Sequence, residues 1–283
     1  MRYIGIIVNT GKDPKLEITS SIVRWLENRN CRPYLEPSIA ALLNRTDLES
    51  HDDSIYRETE FIITLGGDGT LLGAAKDIRE NETPILGINM GRLGFLTEVE
   101  TPQIFPILEQ VLSGDFTIDN RLMLEATVIS GKERKGPFYS LNDAYIIGRS
   151  QFRPVTMDVA IGDNYLNSYI ADGIIISTPR GSTAYSLSAG GPIISPGINA
   201  IMITPLCAHS LSARSILVPD KDIVNITIEE NYDNVYFNAD SHSRCILKGG
   251  DKLAIKKAPF CTKLIKTSGI SFYEMLRLKL KER

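Results

Sequence analysis

The apolar positions of the chain follow two periods in succession. In the first part, short continuous apolar runs alternate with amphipathic stretches. "YIGIIV" (3–8), "FIITL" (61–65) and "PILGIN" (84–89) read as buried strands, and "RPYLEP" (32–37) as a further strand. "LEITSSIVRWLENRN" (16–30) places Ile18, Ile22, Leu26 and the neighbouring Trp25 on one helical stripe, with Arg24, Glu27 and Asn28 outside. The polar stretch "NRTDLESHDDSIYRE" (44–58) reads as a surface loop with a short helix, and "TLLGAAKDIRE" (70–80) as a helix that starts just after a glycine cluster. Strands separated by helices predict a parallel, doubly wound sheet. Thr101-Pro102 has the form of a helix N-cap followed by proline at the first helical position, and that helix ends at Gly114.

After this helix the period becomes two. "LMLEATVI" (122–129), "FYSLNDAYII" (138–147), "VTMDVAI" (155–161), "YLNSYI" (165–170), "GIIIST" (173–178), "IVNITI" (223–228), "VYFNA" (235–239), "CILK" (245–248) and "KLAIKK" (252–257) read as short strands. "GKERKGP", "GDN", "PDKD" and "KGGD" punctuate them. The tail "GISFYEMLRLKLKER" returns to helical spacing, with Phe272, Met275, Leu276 and Leu280 able to face a core. The expected fold is an α/β domain over residues 1–100, completed by about 268–283, and a β-rich, sandwich-like domain over 101–267.

Composition narrows the function classes. With 283 residues, 43% hydrophobic, the chain can bury real cores. Its 31 basic against 34 acidic residues, net charge -3, give no footprint for nucleic acid or a membrane surface. No apolar run approaches the ~20 residues of a membrane span, and "MRYIGIIVNT" reads as a strand rather than a signal peptide. Cys31, Cys207, Cys245 and Cys261 are scattered without metal-ligand spacing, so reduced thiols in a cytoplasmic protein are expected. Three histidines, His51, His209 and His242, make a His-rich metal site improbable.

The densest chemistry lies in "GGDGT" (66–70). Gly66, Gly67 and Gly69 let backbone N–H groups approach a polyanion, and the following helix presents its positive end there. No lysine follows, so this is not the G-x-x-x-x-G-K-[ST] loop, and it is not G-x-G-x-x-G. Asp68 beside phosphates is electrostatically costly unless it meets a hydroxyl or a cation. The alternative is a plain βα turn in which Asp68 caps its helix. Asn142-Asp143 places two polar residues inside a strand-like run, which suits either a site or a solvated edge or bulge. "DGIIISTPRGSTAYSLSAGGPIISP" (172–196) leads an apolar strand into small hydroxylated residues against which a flat ligand can lie; a generic Ser/Thr/Gly loop is the plainer reading.

"GGDGT" resembles the nucleotide-binding motif shared by NAD kinases, diacylglycerol and sphingosine-type lipid kinases, and phosphofructokinases. With "INMGRLGFL" (88–96), "LND" (141–143), "DGIIISTPRGSTAYSLSAGGPI" (172–193) and "FYEMLRLKL" (272–280), the chain resembles the NAD kinase family at nearly full length. The long second block is absent from the other kinases. The resemblance implies transfer of the terminal phosphoryl group of ATP, or of polyphosphate, to the 2′-hydroxyl of NAD's adenosine ribose, giving NADP. It implies that Asp68 is the general base and that Gly66, Gly67, Gly69 and Thr70 hold the phosphate side. Mg²⁺ or another divalent cation would travel with the nucleotide, without a dedicated protein metal site. Asn142 and Asp143 would hold the adenosine part of NAD, and Thr183, Ala184, Tyr185, Ser186, Leu187 and Ser188 the adenine and ribose region. Asp172 matches a position that reaches the dinucleotide across a subunit boundary, which implies a homo-oligomer, a dimer or tetramer. Arg153 and Ile170 lie near further dinucleotide contacts. Where the family usually has Asp-Gly-Gln or Asp-Ser-Gln, this chain has Asp240-Ser241-His242: either His242 contacts the dinucleotide and titrates near neutrality, or it is a solvated turn histidine. Two rivals stand beside this reading: a lipid kinase built on the same turn, and a non-catalytic NAD sensor.

Overall fold

The computed structural model describes residues 1–91, 94–97, 99–148, 154–233, 235–241, 243–267 and 271–281. Residues 1–121 with 261–283 form one compact unit, and residues 122–260 another.

The first unit begins with β1 (Arg2–Val8), α1 (Glu17–Glu27), β2 (Cys31–Leu35), the short helices α2 (Pro37–Leu42) and α3 (Ser54–Arg57), and β3 (Phe61–Gly66). It continues with α4 (Asp68–Ile78), β4 (Ile85–Asn89), the short β5 (Val99–Glu100) and α5 (Ile104–Leu112). The strands are parallel, in the order β2-β1-β3-β4-β5. β3 and β4 are buried at every position, which explains their unbroken apolar sequences. Asp13 accepts the Thr19 N–H at 2.9 Å and its hydroxyl at 2.7 Å, tying down the first turn of α1. Ile4, Ile6, Ile22, Leu26, Phe61, Ile63 and Ile88 make the core, and α5 adds Ile104, Leu108 and Val111 to it. The expected change of domain at residue 101 therefore precedes a helix that packs in the first unit. The changeover lies between Arg121 and Leu122, where the apolar period becomes two.

The second unit contains β6 (Thr117–Ser130) from Leu122 onward, β7 (Glu133–Ser140), β8 (Asp143–Gly148), β9 (Val155–Ile161), β10 (Asn164–Ala171) and β11 (Gly173–Ser177). After α6 (Tyr185–Ser188) come β12 (Ala200–Leu206), β13 (Ile216–Pro219), β14 (Val224–Ile228), β15 (Val235–Ala239), β16 (Ser243–Leu247) and β17 (Lys252–Lys266), of which the residues to Phe260 belong here. One antiparallel sheet runs β13-β12-β11-β8-β15-β16, and another pairs β10, β9, β14 and the start of β17. Ala144, Ile146, Ile174, Ile176, Ile203 and Phe237 from the one meet Met157, Val159, Val224, Ile226 and Ile255 from the other in a single core, as in a β-sandwich.

Three details differ from the sequence expectation. The run 138–147 is two strands, broken by a bend at Leu141 and Asn142. The charged stretch taken as punctuation at 133–137 belongs to β7, and "AIMITPL" forms a central strand, β12, that no alternation announces. Beyond Phe260 the chain is part of the first unit, where Leu264 pairs in parallel with Ile85 and the tail forms α7 (Phe272–Lys281). On α7 only Met275 of the four expected core positions is buried; Phe272 and Leu276 are half-buried and Leu280 is exposed.

Candidate active site

β3 ends at Gly66 and α4 begins at Asp68, leaving Gly67 as the junction. Gly66 is tightly enclosed: the Met90 N–H donates to its carbonyl at 2.7 Å, and an added Cβ would lie 2.1 Å from Thr70 Oγ1. At Gly67 and Gly69 an added Cβ would meet nothing within 4 Å, so their bare backbone faces open space. The first N–H groups of a helix have no partners inside it, and its dipole is positive there, which makes this open side an anion site.

Asp68 does not cap its own helix; α4 has no side-chain cap hydrogen bond. Its carboxylate instead receives the segment after β4. Oδ2 accepts the Phe95 N–H at 2.9 Å, while Oδ1 accepts the Leu96 N–H at 3.0 Å and the Thr97 N–H and hydroxyl at 3.2 Å. Gly94 permits this approach, because a Cβ there would stand 2.0 Å from Asp68 Oδ1. Hydrogen bonds from Phe95, Leu96 and Thr97 fix a half-buried carboxylate at the mouth of the turn. The Asn9 side-chain amide donates to Thr70 Oγ1 at 3.4 Å, linking the loop after β1 to the same turn. A cleft of about 370 Å³ opens beside Gly69 and Thr70, with Glu36, Tyr56 and Asp77 in its wall. Burial, and then the charge of Asp77, raises the Glu36 carboxyl above its ordinary value.

In the second unit the Asn142 bend is held from three sides. Asp240 accepts the N–H groups of Leu141 at 2.5 Å, Asn142 at 2.9 Å and Asp143 at 3.1 Å. Thr178 donates its N–H to the Asn142 carbonyl at 2.9 Å and its hydroxyl to the Leu141 carbonyl at 2.7 Å. Gly181 packs so closely that a Cβ would fall 1.9 Å from the Asn142 carbonyl oxygen. Asp143 is only 4% exposed. Its carboxyl is pushed up to about 7, first by burial and then by the charge of Asp240, against the opposing hydrogen bond from the Tyr185 backbone. That bond joins the Asn142 bend to the segment Thr183–Ser188. There Ser186 is buried and shares a hydrogen bond with Thr204 at 3.0 Å, Ser188 is exposed, and Ala184 and Leu187 are half-buried. Thr183 takes a hydrogen bond from the buried Arg180 guanidinium at 3.1 Å, and the Tyr185 ring stands edge-on to Tyr145 at 5.2 Å.

Asp172 and Ile170 lie along the sheet from Asn142, yet Asp172 stays within electrostatic range of the cluster: burial first, and then the charges of Tyr145, Asp143, Cys207 and Asp172, raise the Tyr185 hydroxyl above its ordinary value. Ser177 at one end of β11 pairs with Asp143, and Asp172 precedes the other end. Five residues of strand put them roughly 16 Å apart. Asp172 is exposed there and Ile170 is 49% exposed. Arg153 and His242 lie outside the described residues. Among the described residues no group of three or more His, Cys, Asp or Glu could hold a metal ion, and no helix is long and apolar enough to cross a membrane. The clamp by Asp240 was not visible in the sequence, since residues 98 positions apart show no pattern.

A carboxylate locked beside an anion-binding helix end is what a kinase of an alcohol requires, and this arrangement defines the class. Residues 4–116 match the ATP-NAD kinase N-terminal domain and residues 141–267 the ATP-NAD kinase C-terminal domain. The chain is 40% identical over 283 residues to the NAD kinase of Caldanaerobacter subterraneus subsp. tengcongensis, covering all of both chains. It is 39% identical over 280 residues to that of Natranaerobius thermophilus, covering 99% of this chain and 98% of the relative. The fold matches yeast NADH kinase complexed with NADH (TM-score 0.87, 24% identity, 98% of this chain and 86% of the other). It also matches an NAD kinase from Archaeoglobus fulgidus in complex with ATP (TM-score 0.79, 19% identity, both chains covered in full). The chain belongs to the NAD kinase family.

Proposed function

We propose that this protein transfers the terminal phosphoryl group of ATP to the 2′-hydroxyl of the adenosine ribose of NAD, giving NADP. The observation that carries the proposal is the orientation of Asp68. Its carboxylate is aimed by three backbone N–H groups and one hydroxyl rather than spent on capping α4.

In a loose phosphoryl-transfer transition state the acceptor loses its proton late, so alignment of the hydroxyl matters more than the basicity of its acceptor. Asp68 is the general base: its carboxylate takes the 2′-hydroxyl proton as the ribose oxygen bonds to the terminal phosphorus and the bond from that phosphorus to the departing ADP breaks. The backbone of Gly67 and Gly69 and the Thr70 hydroxyl hold the phosphates at the helix end. A divalent cation such as Mg²⁺ arrives with the nucleotide, bound by phosphates and water, and offsets their charge. The Asn142 bend and the Thr183–Ser188 segment hold the nucleoside of NAD.

Asp172, exposed and within electrostatic range of Tyr185, reaches the dinucleotide across a subunit boundary in a homo-oligomer, and Ile170 lies near further dinucleotide contacts. The four cysteines are all free thiols, which supports a reducing compartment, the cytoplasm. The test supplies purified protein with NAD, Mg²⁺ and either ATP or polyphosphate, and detects NADP with an NADP-specific dehydrogenase. NADP from ATP is the expected result, and the second donor fixes the phosphate source. Intact NAD binding without NADP from either donor would leave a sensor.

A further inference from the structure

The turn at Gly66–Thr70 has no lysine of its own, and we infer that Lys12, from the loop after β1, supplies the cation that binds the phosphates of the donor nucleotide. β3 lies between β1 and β4 in the sheet. Lys12 follows β1 and Gly91 follows β4, yet an added Cβ on Gly91 would lie only 2.7 Å from Lys12 Nζ. Neighbouring strands stand about 4.8 Å apart, so the side chain must cross the carboxyl end of β3 to reach there. That end is Gly66, whose carbonyl takes the Met90 N–H. The ammonium therefore stands beside Gly91, next to the Met90 N–H that closes on the Gly66 carbonyl at the start of the glycine turn.

The loop is built to hold it. Asn9 Oδ1 accepts the Gly11 N–H at 3.0 Å, and the Asn9 carbonyl accepts the Lys12 N–H at 2.9 Å and the Asp13 N–H at 3.1 Å. The adjacent Asp13 is buried and committed to Thr19, so it does not compete for the ammonium. Among the described residues Lys12 enters no ion pair. An exposed cation without a counter-ion among the described residues, beside an anion-binding helix end, is matched by a polyphosphate. The cleft on the Glu36 and Asp77 side carries carboxyls, so charge directs the phosphates toward Lys12.

The identity of the anion as the phosphoryl donor rests on the NAD kinase reading; the anion site itself does not. The experiment compares the parent with K12Q and K12R, measuring binding of MgATP and of inorganic tripolyphosphate by calorimetry and the steady-state constants for NADP formation. K12Q should weaken both ligands by about 10- to 100-fold, the scale of one charge-assisted contact. It should leave the KM for NAD within about twofold and the melting temperature unchanged, and K12R should recover part of the loss. K12Q that binds both ligands as the parent does would overturn the inference, as would a parent that binds neither. If the parent binds them through Lys12 but makes no NADP, the kinase reading fails and the anion site stands. If it makes NADP and K12Q matches it, the kinase reading stands and Lys12 falls.

Discussion

Two aspartates in this molecule each open an element, Asp68 the helix α4 and Asp143 the strand β8, in opposite surroundings. Asp68 is half-buried and receives the N–H groups of Phe95, Leu96 and Thr97 and the Thr97 hydroxyl. Asp143 is buried against a second carboxylate, Asp240, and its carboxyl is raised to about 7. Burial beside a like charge favours a carboxyl that keeps its proton. The difference separates a group poised to accept a proton from one that holds a loop in place. Position beside a substrate segment is therefore a poor guide to chemistry until the donors around each oxygen are known.

The comparison is broken most sharply at Asp68. D68N turns one oxygen into a donor facing N–H groups and removes the acceptor for the 2′-hydroxyl, so kcat should fall by about 10³-fold or more while NAD still binds. Steady-state rates and calorimetry check both halves. Next is D240A, which leaves the N–H groups of Leu141, Asn142 and Asp143 without their acceptor. It should cost about 3 kcal/mol, roughly 6–12 °C in the melting temperature by differential scanning calorimetry. It should also raise the KM for NAD through the displaced Asn142.

A smaller effect separates the glycines of the first turn. G66A meets Thr70 Oγ1 and should lose about 1–3 kcal/mol of stability. G67A meets no protein atom and should keep its melting temperature but weaken MgATP binding, because the methyl enters the ligand's space. Thermal melts and ATP titrations of the two variants separate a packing role from a binding role.

The smallest effect is the pH dependence of Asp143. Its folded carboxyl lies above its ordinary 3.8, so the folded chain keeps a proton that the unfolded chain releases. The stability from this group is full below pH about 4 and is lost as pH rises through about 7. D143N keeps an oxygen for the Tyr185 N–H and carries no charge, so it should flatten this slope and gain on the parent at pH 8. Melting temperatures from pH 5 to 8 decide it. A parent and variant with parallel curves would mean that Asp143 is ionised throughout.

Much of the first unit was legible in the chain because its signals are local. Unbroken apolar runs mark buried parallel strands, and the glycines around Asp68 mark a turn that only a close ligand or close backbone requires. The partners of Asp68 were not legible, since Phe95, Leu96 and Thr97 reach it only because β3 and β4 are adjacent. The polar pair Asn142-Asp143 marked a site, edge or bulge, but not the long-range grip of Asp240 and Thr178 that bends the chain there. β7 was missed because an exposed strand can carry Glu133, Arg134 and Lys135 without cost, and β12 because a fully covered strand has no polar face to alternate. Lys12 escaped notice because its reach depends on the strand order, which periodicity does not contain.

The decisive measurement is single-turnover NADP formation by the parent, D68N and D143N, at saturating NAD and MgATP and pH 8, with NAD affinity measured in parallel. If Asp68 aligns the hydroxyl and Asp143 only supports the nucleoside loop, D68N binds NAD and forms almost no NADP, while D143N turns over within about threefold of the parent. A D68N protein that keeps its rate, or a D143N protein that binds NAD but has lost it, would contradict that division of labour.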